Sequence, residues 1–240
     1  HTGDTGDTDA PDQEFACGSS KGDGLSPEIQ TVVVLVTDGA RIDETFGDKV
    51  SSVTGEPTED FWPAIRSELL SQGTLVLPGL ATGVTITAEG HAALLTGQRI
   101  AQANFPSDDG PGLYRPEIPT LFELLRETRN LPEESTALVG NTVHLGGHGW
   151  SLYPGHGEEL GAAYTVFTQA NGQPAGNDLD VITGVQEQLN SHDTRLVVAN
   201  LHQMDRAGHY NASPTAYGEG VKNVDQGIVD FWDWIQTTEA

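Results

Sequence analysis

Three short segments combine residue types that can do chemistry. In Val33-Val-Leu-Val-Thr-Asp38-Gly39 a carboxylate follows a run of β-branched and aliphatic residues. An Asp at the carboxyl end of a buried strand lies where open α/β sheets place their ligands, which makes it a candidate metal ligand. The same Asp-Gly pair also reads as an ordinary turn. In Thr87-Ala-Glu-Gly-His91-Ala-Ala-Leu-Leu-Thr96-Gly97 a hydroxyl opens a short helical stretch that stops at glycine. A threonine hydroxyl is a weak nucleophile until a cation or base activates it. The neighbouring helix start favours an incoming anion. Against this, Thr87 reads equally as a helix N-cap, and His91 as a histidine packed on a helix face. In Asn200-Leu-His202-Gln-Met-Asp205-Arg-Ala-Gly208-His209 an Asp and a His stand four apart, directly after an apolar run. Carboxylate oxygen and imidazole nitrogen at that spacing can converge on one zinc-like ion.

These segments need elements to hold them. Thr31 to Thr37 (TVVVLVT) has no polar break, the pattern of a fully buried, usually parallel strand. Further strands are expected at Thr74 to Leu77, Thr136 to Val139 and Arg195 to Leu201. Helices are expected between them: Asp60 to Gln72, Thr120 to Arg129 opening on the capping box Thr120-Leu-Phe-Glu123, and Asp178 to Leu189. A last helix carries Val221, Val224, Ile228, Phe231 and Ile235 on one face. Strands alternating with helices predict an α/β fold, a mostly parallel sheet covered by helices on both faces. A helix of this kind normally feeds another strand, so the expectation is a domain cut short after the last helix.

Composition narrows the function. Eleven Lys and Arg against 35 Asp and Glu give a formal net charge of −24. Such a surface repels phosphate backbones, so charge-driven binding to nucleic-acid polymers is disfavoured, as is an anionic membrane surface. No run of 18 apolar residues exists to form a transmembrane helix. The lone Cys17 has no internal disulfide partner. Residues 1–24, HTGDTGDTDAPDQEFACGSSKGDG, hold little that could form a core. They read as a flexible acidic tether, with a calcium loop on Asp4, Asp7 and Asp9 as the alternative. Residues 25–240 then form the folded domain. A tether of this kind often follows an export or lipid-attachment signal, so the expected location is extracellular, periplasmic or tethered to the cell surface. No serine-esterase elbow, P-loop or Rossmann glycine fingerprint is present.

Taken in order, the three segments resemble the alkaline phosphatase superfamily. Thr-Asp-Gly follows a buried strand, then comes Thr-x-x-x-His-x-x-Leu-x-Thr-Gly, then Asp-x-x-Gly-His after a later strand. The likeness is greatest to the type I phosphodiesterase/nucleotide pyrophosphatase branch and spans about residues 31–235. Val224-Asp225 ahead of the amphipathic helix adds to it. The resemblance implies an alkaline phosphatase-like core and a hydrolase of phosphodiesters or phosphomonoesters, with two divalent metal ions, usually zinc. It implies Asp38 and Thr87 at one metal, with Thr87 as the nucleophile, and Asp205 and His209 at the other. It also offers Asn104 as a contact for the phosphoryl oxygen, although the spacing departs from the family pattern. The family completes its site with Asp-His-Gly and a later His, and this sequence contains no Asp-His-Gly. Gly147-His148-Gly149 and Gly155-His156-Gly157 precede Asp205 and read as loops; metal ligation by His144, His148 or His156 is the alternative. The competing function is a non-catalytic, acidic, surface-tethered binding module with an incomplete metal site.

Overall fold

The computed structural model describes residues 30–47, 50–76, 85–99, 115–142, 145–167, 177–210 and 214–238. The chain divides into two units, His1–Gln30 and Thr31–Ala240. The expected tether, Asn104 and His144 lie outside the described residues.

Among the described residues, the second unit is built on four parallel strands in the order β1-β4-β2-β3. They are β1 (Val32–Thr37), β2 (Thr136–Gly140), β3 (Ala163–Val166) and β4 (Leu196–Leu201). Parallel neighbours require crossovers. α1 (Thr87–Thr96) and α2 (Leu121–Arg129) lie between β1 and β2, α3 (Asp178–Ser191) lies between β3 and β4, and α4 (Gln203–Tyr210) and α5 (Pro214–Thr237) follow β4. Alternate residues of each central strand face opposite cores. Val139, Val197 and Ala199 pack with Val181 and Val185 of α3 and Val221 and Val224 of α5. Leu138, Leu196 and Val198 pack with Leu95 of α1 and Phe122 of α2. Both faces are therefore covered, and β2 and β4 are buried along their whole length. No helix among the described residues is long and apolar enough to cross a membrane.

The α/β expectation holds at this level, with local corrections. Among the described residues β1 lies at one edge of the sheet, and it is only half-buried, where its apolar run suggests full burial. Its residues still serve both cores, Val33 and Leu35 on one side and Val34 and Val36 on the other, which is why no polar residue interrupts it. Thr74–Val76 form no strand; Leu75 and Val76 are exposed, so this apolar run has no sheet to join among the described residues. The helix expected over Asp60 to Gln72 breaks into a 3₁₀ turn at Thr58–Asp60 and a π-helical turn at Ile65–Leu69. Pro63 explains the break, because a proline opens a helix but cannot continue one. Asp225 of α5 caps this turn, its carboxylate accepting from Ala64 N–H at 2.9 Å and Ile65 N–H at 2.8 Å. β3 has no counterpart among the expected strands, since four residues are too few for a period to emerge.

The capping box at Thr120 is present and does more than start α2. Glu123 is fully buried. One carboxylate oxygen accepts from Thr120 N–H (2.7 Å) and the Thr120 hydroxyl (2.9 Å). The other accepts from Ser151 N–H (2.9 Å), the Ser151 hydroxyl (2.8 Å) and Gly157 N–H (2.9 Å). Burial pushes this carboxyl up, but the donors from Thr120, Ser151 and Gly157 outweigh it and hold it below the ordinary value. A depressed folded-state pKa contributes stability above the unfolded value, near 4.3, and loses it as pH falls through the folded value. Glu123→Gln places an amide NH₂ among donors and is expected to cost about 2–3 kcal/mol at pH 7. The difference between variant and parent in urea melts should shrink below about pH 4. Equal midpoints at pH 7 would contradict this role.

Candidate metal centre

The sheet register builds the centre. β1 and β4 are adjacent, and Thr37 pairs with Leu201. The next residues, Asp38 and His202, therefore leave the carboxyl edge side by side, and Asp38 N–H still donates to Leu201 C=O at 2.9 Å. Gly39 then turns the chain with φ +75°. A Cβ on Gly39 would lie 2.6 Å from Asp205 Cα, so the absence of a side chain lets this turn rest on the first turn of α4. Tyr217 of α5 locks the contact by donating from its hydroxyl to Gly39 C=O at 2.9 Å. Gly220 of α5 similarly admits Met204, which is fully buried.

Three donor atoms converge here. One each from Asp38, His202 and Asp205 lies within 4.8 Å of the other two. His202 Nδ1 is 3.1 Å from Asp38 Oδ2 and 3.6 Å from Asp205 Oδ2. Thr87, at the first position of α1, donates its hydroxyl to the same Asp38 oxygen at 3.1 Å. Asn200 Nδ2 donates to it as well, at 3.3 Å. Burial is the largest influence and drives the Asp38 carboxyl up, but the His202 hydrogen bond, the electrostatic influence of the His91 and His202 rings and the Asn200 hydrogen bond together outweigh it. Its pKa ends below the ordinary value. The carboxylate is thus available as an anionic ligand.

His91 is buried one turn into α1, and its Nδ1–H donates to Thr87 C=O at 2.8 Å. Burial lowers its pKa more than the Thr87 carbonyl and Asp38 raise it, so the ring is neutral near pH 7. With the proton on Nδ1, Nε2 carries a lone pair, and the Asn200 side chain lies within reach of this ring.

The sequence-expected residues separate clearly. Asp38, Thr87 and Asp205 meet at one place. The Asp-Gly turn reading of Asp38 holds, and the turn at Gly39 sets the carboxylate beside His202 and Asp205. The N-cap reading of Thr87 does not hold: Ile86 occupies the cap position and the Thr87 hydroxyl points to Asp38. His209 sits one helical turn beyond Asp205, its Nε2 3.3 Å from Asp205 Oδ1, with a side chain 74% exposed. Asp205 thus faces His202 with one oxygen and His209 with the other. Among the described residues, Asp38, His202 and Asp205 form the one group of three or more such donors. His148 is buried under α1, donating from Nε2 to Ala88 C=O at 2.9 Å, with its ring 6.4 Å from that of His91. His156 Nε2 lies 3.3 Å from Glu127 Oε2. Neither belongs to the donor group.

His202 and Asn200 are the residues that spacing alone did not single out. Their signal was the alternation at the end of β4, where residues two apart share a face. No protein-family model and no curated protein matches the chain, so the residues themselves carry the assignment.

Proposed function

We propose that this chain is a metal-dependent hydrolase of phosphate esters with Thr87 as its nucleophile, of the alkaline phosphatase type. The observation that carries the reading is the Thr87 hydroxyl 3.1 Å from Asp38, itself one of three donors within 4.8 Å of one another. Two carboxylates and an imidazole fit a zinc-like divalent ion in both charge and ligand chemistry. Asp38, His202 and Asp205 would hold it, and the Asp205–His209 pair offers the beginning of a second position. A divalent ion bound there supplies a Lewis acid that polarises a phosphoryl oxygen and lowers the pKa of a nearby hydroxyl.

The chain's own groups supply the rest. Asp38 orients the Thr87 hydroxyl, and Asn200 and His202 keep Asp38 from turning. The N–H groups of the first turn of α1 favour an anion beside Thr87. Thr87 Oγ1 forms a bond to phosphorus as the bond to the leaving alcohol breaks, and the hydroxyl proton departs with the alcohol or to solvent. Water then cleaves the phosphothreonine, releasing phosphate or its monoester and restoring the hydroxyl. An exported or surface-tethered setting suits the −24 charge and the acidic N-terminal composition.

Assays with p-nitrophenyl phosphate and bis(p-nitrophenyl) phosphate test the reading. Hydrolysis of at least one ester should appear with zinc, vanish with a chelator and return on zinc addition. Zinc uptake without hydrolysis of either ester would replace the enzyme with the acidic binding module. Hydrolysis that survives chelation would contradict a metal-dependent mechanism.

A further inference from the structure

Asp178 is the first residue of α3, yet its carboxylate serves another helix. The start of α3 is already satisfied: Asn177 Oδ1 accepts from Asp180 N–H at 3.1 Å, and Asp180 Oδ2 accepts from Asn177 N–H at 2.7 Å. The Asp178 side chain is 1% exposed. It accepts from Gln203 N–H, at 3.1 Å to Oδ1 and 3.3 Å to Oδ2. The His202 N–H adds a further backbone hydrogen bond. Asn141, just past β2, steadies it by donating from Nδ2 to Oδ1 at 3.3 Å.

Gln203 is the first residue of α4. The opening N–H groups of a helix need acceptors, and the residue just before the helix usually provides one from a Ser, Thr, Asp or Asn side chain. Here that residue is His202, whose ring is engaged with Asp38 and Asp205. The capping duty passes to Asp178, a negative charge at a helix N-terminus, where it is favoured. Burying a carboxylate is costly unless its hydrogen bonds are made, so this placement suits a position where backbone geometry matters. The backbone it grips is the 202–203 link that sets the angle between the His202 ring and Asp205.

We propose that Asp178 is a positioning residue for the metal centre: by holding the His202–Gln203 backbone it keeps His202 Nδ1 and Asp205 Oδ2 aimed at Asp38. The inference rests on the metal reading above. Outer-shell partners of this kind typically cost about 10- to 100-fold in metal affinity when removed.

Cobalt(II) titration of the full chain tests it, with visible absorption as the reporter of ligand geometry. Asp178→Ala should bind cobalt about 10- to 100-fold more weakly, with a shifted or weakened visible band. Asp178→Asn keeps an oxygen acceptor for Gln203 N–H and should recover most of the affinity and the band. Wild-type affinity and an unchanged spectrum in a folded Asp178→Ala would overturn the inference. So would an Asp178→Asn as weak as the alanine variant. If Asp178→Ala does not fold, Asn141→Ala takes its place, leaving the carboxylate but removing the side chain that orients it. Weaker cobalt binding in that folded variant supports the inference, and unchanged binding overturns it. An Asp38→Ala control separates the two levels. Cobalt binding that Asp38→Ala abolishes and Asp178→Ala leaves intact overturns the positioning role alone. A parent chain that takes up no cobalt overturns the metal reading with it.

Discussion

Thr87→Ala is expected to lower zinc-dependent ester hydrolysis by about 10³-fold or more, the scale on which loss of a covalent nucleophile is felt. The fold should tolerate the change. Thr87 is half-buried, it does not occupy the cap position of α1, and among the described residues its side-chain hydrogen bond is to Asp38. The remainder of α1 is held by Leu95 in the core and by His148 donating to Ala88 C=O. Asp38, His202 and Asp205 remain as donors, so zinc should still bind in the alanine variant. Thr87→Ser keeps an oxygen at the same atom and should retain a substantial fraction of the rate. Single-turnover quenching of the parent chain with p-nitrophenyl phosphate should trap phosphate on Thr87. Full activity in Thr87→Ala would move the chemistry to water and leave α1 as a scaffold only.

Removal of either carboxylate from the donor group should have the largest effect on binding. Asp38→Ala and Asp205→Ala are each expected to weaken zinc by more than about 100-fold, beyond the range of outer-shell losses. The reason is geometric as well as electrostatic. Asp38 collects Thr87, Asn200 and His202 on one oxygen, so its loss releases the hydroxyl and the imidazole together. Asp205 in α4 lies between His202, just before the helix, and His209, one turn further along it, so its loss separates the donor group from the second histidine. A thermal-shift assay reads the same effect. Zinc at about 100 times its Kd stabilises a folded chain by about 2.7 kcal/mol, and neither variant should gain that stabilisation at the same zinc concentration.

The sequence made some of this legible because chemistry and periodicity coincided there. Thr-Asp-Gly, Thr-x-x-x-His and Asp-x-x-Gly-His each follow or open an element with a plain signal. The resemblance placed Asp38 and Asp205 at two neighbouring metals, and the parallel strands carry their donor atoms into one group. Two helices, α2 and α5, followed from a capping box and from an apolar stripe. Residues whose roles depend on neighbours far along the chain were not legible. His202 matters because β1 and β4 are in register. Asn200 matters because it faces Asp38 across that pairing. Asp178 matters because it caps a helix 25 residues further on. Gly39 looked like a turn residue, and only the approach of Asp205 shows why no side chain fits there. The half-burial of β1 was hidden for a related reason: an apolar run reports what both faces of a strand touch, not whether the strand has two neighbours.

The most direct test is calorimetric titration of zinc into the metal-free chain, run beside Asp38→Ala and Asp205→Ala. The account requires saturable uptake by the parent at the Asp38, His202 and Asp205 centre, with that binding lost in both variants while their melting curves remain cooperative. No uptake by the parent, or uptake that both substitutions leave unchanged, would contradict the claim that these three residues form a metal centre.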